Sequence, residues 1–244
     1  RFHPDSLEEI SDFTSLDRPG CLQGGMMDEY IAVKFGEKDA LFLHNDLKPI
    51  LDRSYGTLVY QEQIMEICWK IAGLTLAEAD NIRKAVGKKK KDLMAQCKDM
   101  FVNGGLKKGY SKELMDQLWD WIDKFSGYGF NKSHAICYAM LAYKTAWAKT
   151  HLPTEFYTAL LMTSGMSTEE QGEEVRAIVN DAKLQDIEIL PPSLKRGNLS
   201  FEIIGERKIA FGLASIKGIG PSSMKQVLDC KAPTYKDFIL SVSK

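Results

Sequence analysis

Glycines at 73, 87, 104, 105, 127 and 129 cut the middle of the chain into segments whose apolar residues recur at helical spacing, and this punctuation constrains the fold more than any other feature. In the stretch from Tyr60 to Leu74, Ile64, Ile67, Cys68 and Ile71 share one face while Glu62, Glu66 and Lys70 lie on another, the pattern of a half-buried helix. Gly73 predicts its stop. A second helix is expected from Thr75 to Val86, ended by Gly87, and a third from Lys88 to Leu106, closed by Gly104-Gly105. Ser111 is placed to cap a fourth over 112–125, whose apolar stripe reads Leu114, Leu118, Trp121, Ile122 and Phe125. Leu114 at the third position rules out a capping box there.

Beyond Phe125 the loop Gly127-Tyr128-Gly129-Phe130-Asn131 leads into a long helix expected from Ser133 to Thr150, and Pro153 opens the next at a favourable first-turn position. One more amphipathic helix is expected over 168–184, carrying Val175, Ile178, Val179 and Ala182. The texture then changes. Pro191-Pro192 marks a break, and two short strands, Leu199 to Ile204 and Lys208 to Leu213, are expected around Gly205-Glu206. Ile216-Lys217-Gly218-Ile219-Gly220 followed by Pro221 has the form of a glycine turn opening a helix, as in a helix-hairpin-helix element. Backbone N–H groups of such turns meet DNA phosphates without reading sequence.

With 244 residues, 44% of them hydrophobic, the chain can bury a real core. No run reaches the roughly 18 to 20 apolar residues of a membrane span, and no charged n-region precedes an apolar segment at the start. The five cysteines are scattered with no CxxC pair, the usage of a reduced cytosolic protein without a disulfide framework or zinc site. A chain that starts at Arg1 and ends at Lys244 is expected to be a piece of something longer.

Net charge is −1, yet Arg83 to Lys108 holds nine Lys/Arg against two Asp. Such a patch on a near-neutral body is what a phosphate-contacting surface looks like, and equally what a solvated helix face looks like. Arg83 and Lys84 project roughly 100° apart on a helix, so one can serve an anion while the other stays solvated. A guanidinium suits a triphosphate because its planar fork binds two oxygens at once. At the glycine loop, two glycines permit close backbone approach and the following helix offers N–H groups to an anion. Lys132 and His134 stand at that same helix start, where a cation is out of place unless an anion is bound. A tight turn with Tyr128 and Phe130 in the core is the plainer alternative. No GxxxxGK[ST], HExxH, GxSxG or DxD pair occurs. Nucleotidyl transfer ordinarily needs two metal-binding carboxylates, so no catalytic residue and no metal ligand is assigned.

Four strings occur in order: Arg18-Pro19-Gly20 with Gln23 to Met26; Tyr55-Gly56-Thr57-Leu58-Val59-Tyr60-Gln61-Glu62-Gln63; Ala79-Asp80 with Arg83 to Lys89; and Phe125 to Ala135. Tyr138, Tyr143, Lys144, Trp147, Lys149, His151, Pro153, Glu155 and Phe156 continue the series, as do Ile189 to Pro192 and Ile216 to Gly220. This colinear set resembles the fingers of the C-family bacterial replicative DNA polymerases, the DNA polymerase III alpha group. Cys21 and Gly24 depart from it, standing where that family usually has Pro and Ser.

The resemblance implies a mainly α fold. A multi-helix fingers domain would occupy 1–190, and 191–244 would hold a linker, a short β-hairpin and the beginning of a helix-hairpin-helix duplex-binding region. Arg83 and His134 would neutralise triphosphate oxygens of an incoming dNTP and Tyr128 would pack near its sugar or base, with Asn131, Lys132 and Arg18 as further members. Lys84, Lys88, Lys89, Lys90, Lys91, Lys217, Gly218 and Gly220 would meet the backbone of primer-template DNA. The Mg2+-binding aspartates would belong to a palm upstream of Arg1, so this chain alone would hold no Mg2+ and would not polymerise. Its partners would be that palm, the polymerase's remaining domains and, through regions beyond Lys244, the sliding clamp and clamp loader, all in the cytoplasm of a bacterial or phage-infected bacterial cell. Two other readings stay open on the residues alone: a non-catalytic DNA-binding module or split-polymerase fragment, and a plain helical interaction domain.

Overall fold

The computed structural model describes residues 1–88, 91–125, 128–164, 169–216 and 222. These contain eleven α-helices and one small sheet, so the fold is mainly α as expected, and they pack as two compact units, Arg1–Ala142 and Tyr143–Lys244. None of the described helices is long and apolar enough to cross a membrane.

The first unit opens with α1 (Leu7–Leu16), α2 (Pro19–Gln23) and α3 (Met26–Lys34), followed by the short α4 (Lys48–Leu51). Its larger core belongs to α4 and to α5 (Gln61–Lys70), α6 (Leu76–Lys88), α7 (Lys91–Lys107) and α8 (Lys112–Phe125). Ile67, Ile82, Phe101, Met115, Leu118 and Ile122 are fully buried there, each an apolar side chain removed from water at about 1.5–3 kcal/mol. Helix α5 ends as expected, and Gly73 takes the left-handed conformation (φ 67°) that reverses the chain. Ser111 caps α8, its Oγ accepting from Leu114 N at 3.2 Å.

Three expectations are corrected. Helix α6 does not stop at Gly87 but runs through it to Lys88. A side-chain carbon there would meet nothing, and its backbone is not left-handed, so this glycine is an exposed helical residue. Gly104 and Gly105 do not close α7 but lie within it. A Cβ on Gly104 would fall 2.2 Å from the Ala72 carbonyl oxygen, and one on Gly105 2.3 Å from Met115 Sδ. These two are therefore contact glycines that let α7 meet the chain after α5 on one side and α8 on the other. On α8 the fully buried face is Met115, Leu118, Trp119, Ile122 and Phe125, with Leu114 and Trp121 packed at its edges.

A second core joins α1 to α3 and to the extended strip Val59-Tyr60, and is built around tyrosines. Asp12 accepts hydrogen bonds from Tyr30 Oη (2.7 Å) and Tyr60 Oη (2.5 Å), and Glu9 accepts from Lys34 Nζ (2.7 Å), Tyr55 Oη (2.8 Å) and Asp5 N (2.6 Å). Buried polar groups are tolerated because they are paired in this way.

Helix α9 (Lys132–His151) crosses from the first unit into the second, which contains α10 (Pro153–Thr163) and α11 (Glu169–Leu184) and the strands β1 (Glu188–Leu190), β2 (Glu202–Gly205) and β3 (Lys208–Ala210). Pro153 opens α10 as expected. The hairpin forms, antiparallel, but its turn falls on Glu206-Arg207, with Arg207 left-handed (φ 54°) and Gly205 still in β2. Unexpectedly, Glu188 to Leu190 supplies a third strand: β1 pairs parallel with β3, giving the order β1-β3-β2 across Pro191-Pro192. Tyr157, Leu161, Val175, Ile178, Ile187 and Ile209 form this unit's core. The glycine turn bearing Lys217, Gly218 and Gly220 lies outside the described residues.

Candidate nucleotide-binding site

The site is assembled on the strip Val59 to Glu62. Gln63, in the first turn of α5, reaches back so that its Oε1 accepts from both Val59 N (2.8 Å) and Tyr60 N (2.9 Å), and its Nε2 donates to Ser54 Oγ (2.7 Å). Those bonds hold the strip extended where it enters the helix. Phe130 then pairs with Tyr60 as an isolated parallel bridge, with Phe130 N donating to Val59 O (3.2 Å) and Gln61 N to Phe130 O (2.9 Å). The glycine-rich loop is thereby fixed to the start of α5, a contact spanning some seventy residues that no local pattern encodes.

Gly129 is where the loop comes closest: a Cβ there would stand 3.0 Å from both Gln61 Cγ and Phe125 Cε1. The Gln61 amide donates from Nε2 to Gly129 O (3.1 Å) and accepts from Arg83 Nη1 at Oε1 (3.1 Å). Arg83 also places Nε (2.9 Å) and Nη2 (2.8 Å) on Asp80 Oδ1, and Lys84 Nζ lies 2.6 Å from Asp80 Oδ2. Lys84 and then Arg83 hold the Asp80 carboxyl below its ordinary pKa. Three of the five guanidinium N–H groups of Arg83 are thus committed, and two have no partner among the described residues.

Arg18 is a strut for the same loop. Its Nε donates to Ser15 O (2.7 Å), its Nη2 to Tyr128 O (2.6 Å), and its guanidinium lies 4.6 Å from the centre of the Phe130 ring. The Tyr128 ring covers Gly20, where a Cβ would fall 2.5 Å from Cε1, and with Gly24, Met26, Trp121 and Phe125 it borders a cavity of about 710 Å³.

Asn131 caps α9, its Oδ1 accepting from His134 N at 2.9 Å. The electrostatic conflict expected at this helix start has an internal partner: the Glu62 carboxylate accepts from Lys132 N at 3.0 and 3.1 Å and from Asn131 Nδ2 at 3.1 Å. An anion at a helix N-terminus is stabilising, and Glu62 supplies one. Lys132 Nζ rests 5.5 Å from the centre of the Tyr60 ring. His134 is exposed, its ring 5.5 Å from Phe130 and 4.5 Å from Tyr138.

Arg18, Arg83, Tyr128, Asn131, Lys132 and His134 therefore gather along one loop and the two residues, Gln61 and Glu62, that bind it. Lys84 joins through Asp80. Lys88 ends α6 and Lys91 begins α7, while Lys89 and Lys90 lie outside the described residues. Elsewhere in the basic segment, Lys98 faces Asp116 (3.2 Å) and Asp120 (3.7 Å), and Lys108 Nζ donates to Lys70 O at 2.6 Å. Several of those cations thus serve the fold's own carboxylates and carbonyls. Gln61 and Glu62 are the contacts that residue-type reasoning did not single out. The only signal for them was their place in the Tyr55–Gln63 string. Among the described residues no three His, Cys, Asp or Glu side chains gather as a metal site.

Comparison of this mainly helical body with known proteins gives its class. Residues 1–109 match the family described as the bacterial DNA polymerase III alpha subunit finger domain. The chain is 42% identical over 238 residues to the DNA polymerase III subunit alpha of Aquifex aeolicus (98% of this chain, 20% of the relative). It is 38% identical over 236 residues to that of Escherichia coli K12 (95% and 20%) and 39% identical over 244 residues to that of Vibrio cholerae (97% and 21%). The chain belongs to the C-family replicative DNA polymerases, in their DNA polymerase III alpha group. It spans about a fifth of the length of these curated relatives.

Proposed function

We propose that this chain is the fingers portion of a DNA-directed DNA polymerase, gripping the triphosphate of an incoming dNTP while a palm carried elsewhere joins it to the primer. The observation that carries the reading is the link from Arg83 through Gln61 to the loop that leads into α9, whose first turn bears Lys132 and His134. Arg83 has two N–H groups to offer a pair of phosphate oxygens. Lys132 adds charge and His134 a ring N–H on the first turn of α9, and under this reading the Tyr128 ring packs on sugar or base. Arg18 and Asn131 shape the loop that carries them.

Under this reading Mg2+ is held by palm carboxylates and supplies the charge stabilisation of nucleotidyl transfer. The residues here bind and orient. Lys84, Lys88 to Lys91 and the Lys217, Gly218 and Gly220 turn run along the primer-template backbone. Residues 1–190 are the fingers, and 191–244 begin the duplex-binding region. The remaining polymerase domains, the clamp and the clamp loader are partners in the bacterial cytoplasm.

The test is magnesium-dependent primer extension by the longer polymerase that carries this segment. Arg83→Ala and His134→Ala are each expected to raise the dNTP KM or lower kcat by about ten-fold or more, the scale of a lost charge-assisted hydrogen bond. Near-parental kinetics in both would remove the assignment.

A further inference from the structure

We infer that Gln61 is a positioning residue that couples Arg83 to the glycine loop, so that the guanidinium and the loop backbone present themselves to the nucleotide as one unit. The inference rests on the nucleotide-binding reading of the site and names a residue that reading does not contain.

Gln61 touches both halves of the site. Its backbone N–H is bonded to Phe130 O (2.9 Å), its Nε2 to Gly129 O (3.1 Å), and its Oε1 to Arg83 Nη1 (3.1 Å). A carbonyl oxygen can only accept and a guanidinium can only donate, so one side chain between them must do both. A terminal amide does so without a charge; a carboxylate could not donate to Gly129, and an ammonium could not accept from Arg83. The partners also fix which way the amide points.

The opposite edge of the guanidinium is held by Asp80, through Nε and Nη2. Arg83 is thus gripped from α6 on one side and from α5 on the other, which sets the plane of its fork. Without Gln61 the Asp80 contacts remain, and Arg83 stays paired with a carboxylate of its own helix but free to swing about it. Close packing of Gly129 on Gln61 Cγ (a Cβ would lie at 3.0 Å) adds a steric register to the polar one. The half-buried setting of Gln61 makes these bonds worth more than they would be in open water.

The test is a double-mutant cycle in the longer polymerase, read as the dATP dependence of primer extension together with the melting temperature of each variant. Gln61→Met keeps the volume and removes both bonds. It is expected to raise the dATP KM by about ten-fold with kcat little changed, and to add nothing further when Arg83 is already Ala. Gly129→Ala approaches the coupling from the loop side and is expected to show the same KM rise and the same non-additivity. It keeps the question answerable if Gln61→Met lowers the melting temperature. Multiplicative effects of Gln61→Met and Arg83→Ala would overturn the coupling. So would a dATP KM unmoved by Gln61→Met while Arg83→Ala raises it, and that result would leave the nucleotide reading standing. If Arg83→Ala itself leaves the nucleotide dependence unchanged, the nucleotide reading and the coupling fall together.

Discussion

The two cores of the first unit solve the same problem with different chemistry. Between α4 and α8 the buried face is almost wholly aliphatic and aromatic, and glycines set how closely the helices approach. Around α1 and α3 the interior holds Asp12, Glu9, Ser11 and Ser15 among tyrosines, and its order depends on hydrogen bonds made over 18 to 49 residues of sequence. The strip that carries the site lies between them: Tyr60 Oη is bonded into the polar core, while Ile64, a turn later, faces the apolar one. A buried carboxylate with two phenol donors accepts one arrangement. The contrast suggests why the loop-bearing strip is anchored on the polar side.

The largest effect that separates the two is expected from Phe101→Ala. Phe101 is fully buried, 5.7 Å from the Trp119 ring, and its loss should cost about 3–5 kcal/mol in urea denaturation. Next comes Gly104→Ala. In an ordinary helix interior this exchange stabilises by about 1 kcal/mol. Here the added carbon would lie 2.2 Å from Ala72 O, so the sign should invert and the protein lose about 1–3 kcal/mol. A stabilised Gly104→Ala protein would show that the helix ends of this core do not meet as closely as described.

The apolar core was largely legible in the sequence because its helices are local and periodic: Ile64, Ile67, Cys68 and Ile71 were identified from spacing alone and are buried. Where reading by punctuation failed, at Gly87 and Gly104-Gly105, a glycine's role was set by what lay opposite it, which one-dimensional patterns do not contain. The polar core was not legible at all. Ser11, Asp12 and Ser15 look like a surface helix face until Tyr30 and Tyr60 are brought to them. The same holds within the site. Asn131 and Lys132 could be read as a helix start, but Glu62, which neutralises that start, comes from the other side of the bridge. Strand β1 was missed because three residues before a double proline carry too little pattern.

An effect of similar size is expected on the polar side. Tyr30→Phe keeps the ring stacked on Phe2 and removes only the hydroxyl donated to Asp12. A loss of about 1.5–3 kcal/mol is expected, the value of a bond to a charged acceptor. A loss as large as that from Phe101→Ala would mean that the hydroxyl orders the whole layer, and the comparison would have to be redrawn around it.

The finest distinction lies within the polar core, between two carboxylates three residues apart. Burial pushes the Asp12 pKa up, and the Tyr60 and Tyr30 hydroxyls offset this only in part. Burial acts the same way on Glu9, but there Lys34, with Asp5 N and the Tyr55 hydroxyl, more than reverses it, and its carboxyl sits below the ordinary range. The signs of the linkage are therefore opposite. Glu9 contributes stability that is present above its unfolded pKa and lost as pH falls through its folded value. Asp12 holds its proton more tightly when folded, so stability declines as pH rises from the ordinary aspartate range through the raised value. Denaturation of Glu9→Gln and Asp12→Asn followed from about pH 3 to 7 should show the Glu9→Gln deficit growing with pH and the Asp12→Asn deficit shrinking. Each slope is bounded at about 1.4 kcal/mol per pH unit for a single proton. If both deficits grow with pH, the tyrosine hydrogen bonds outweigh burial at Asp12, and the polar core stabilises its two carboxylates by one mechanism instead of two.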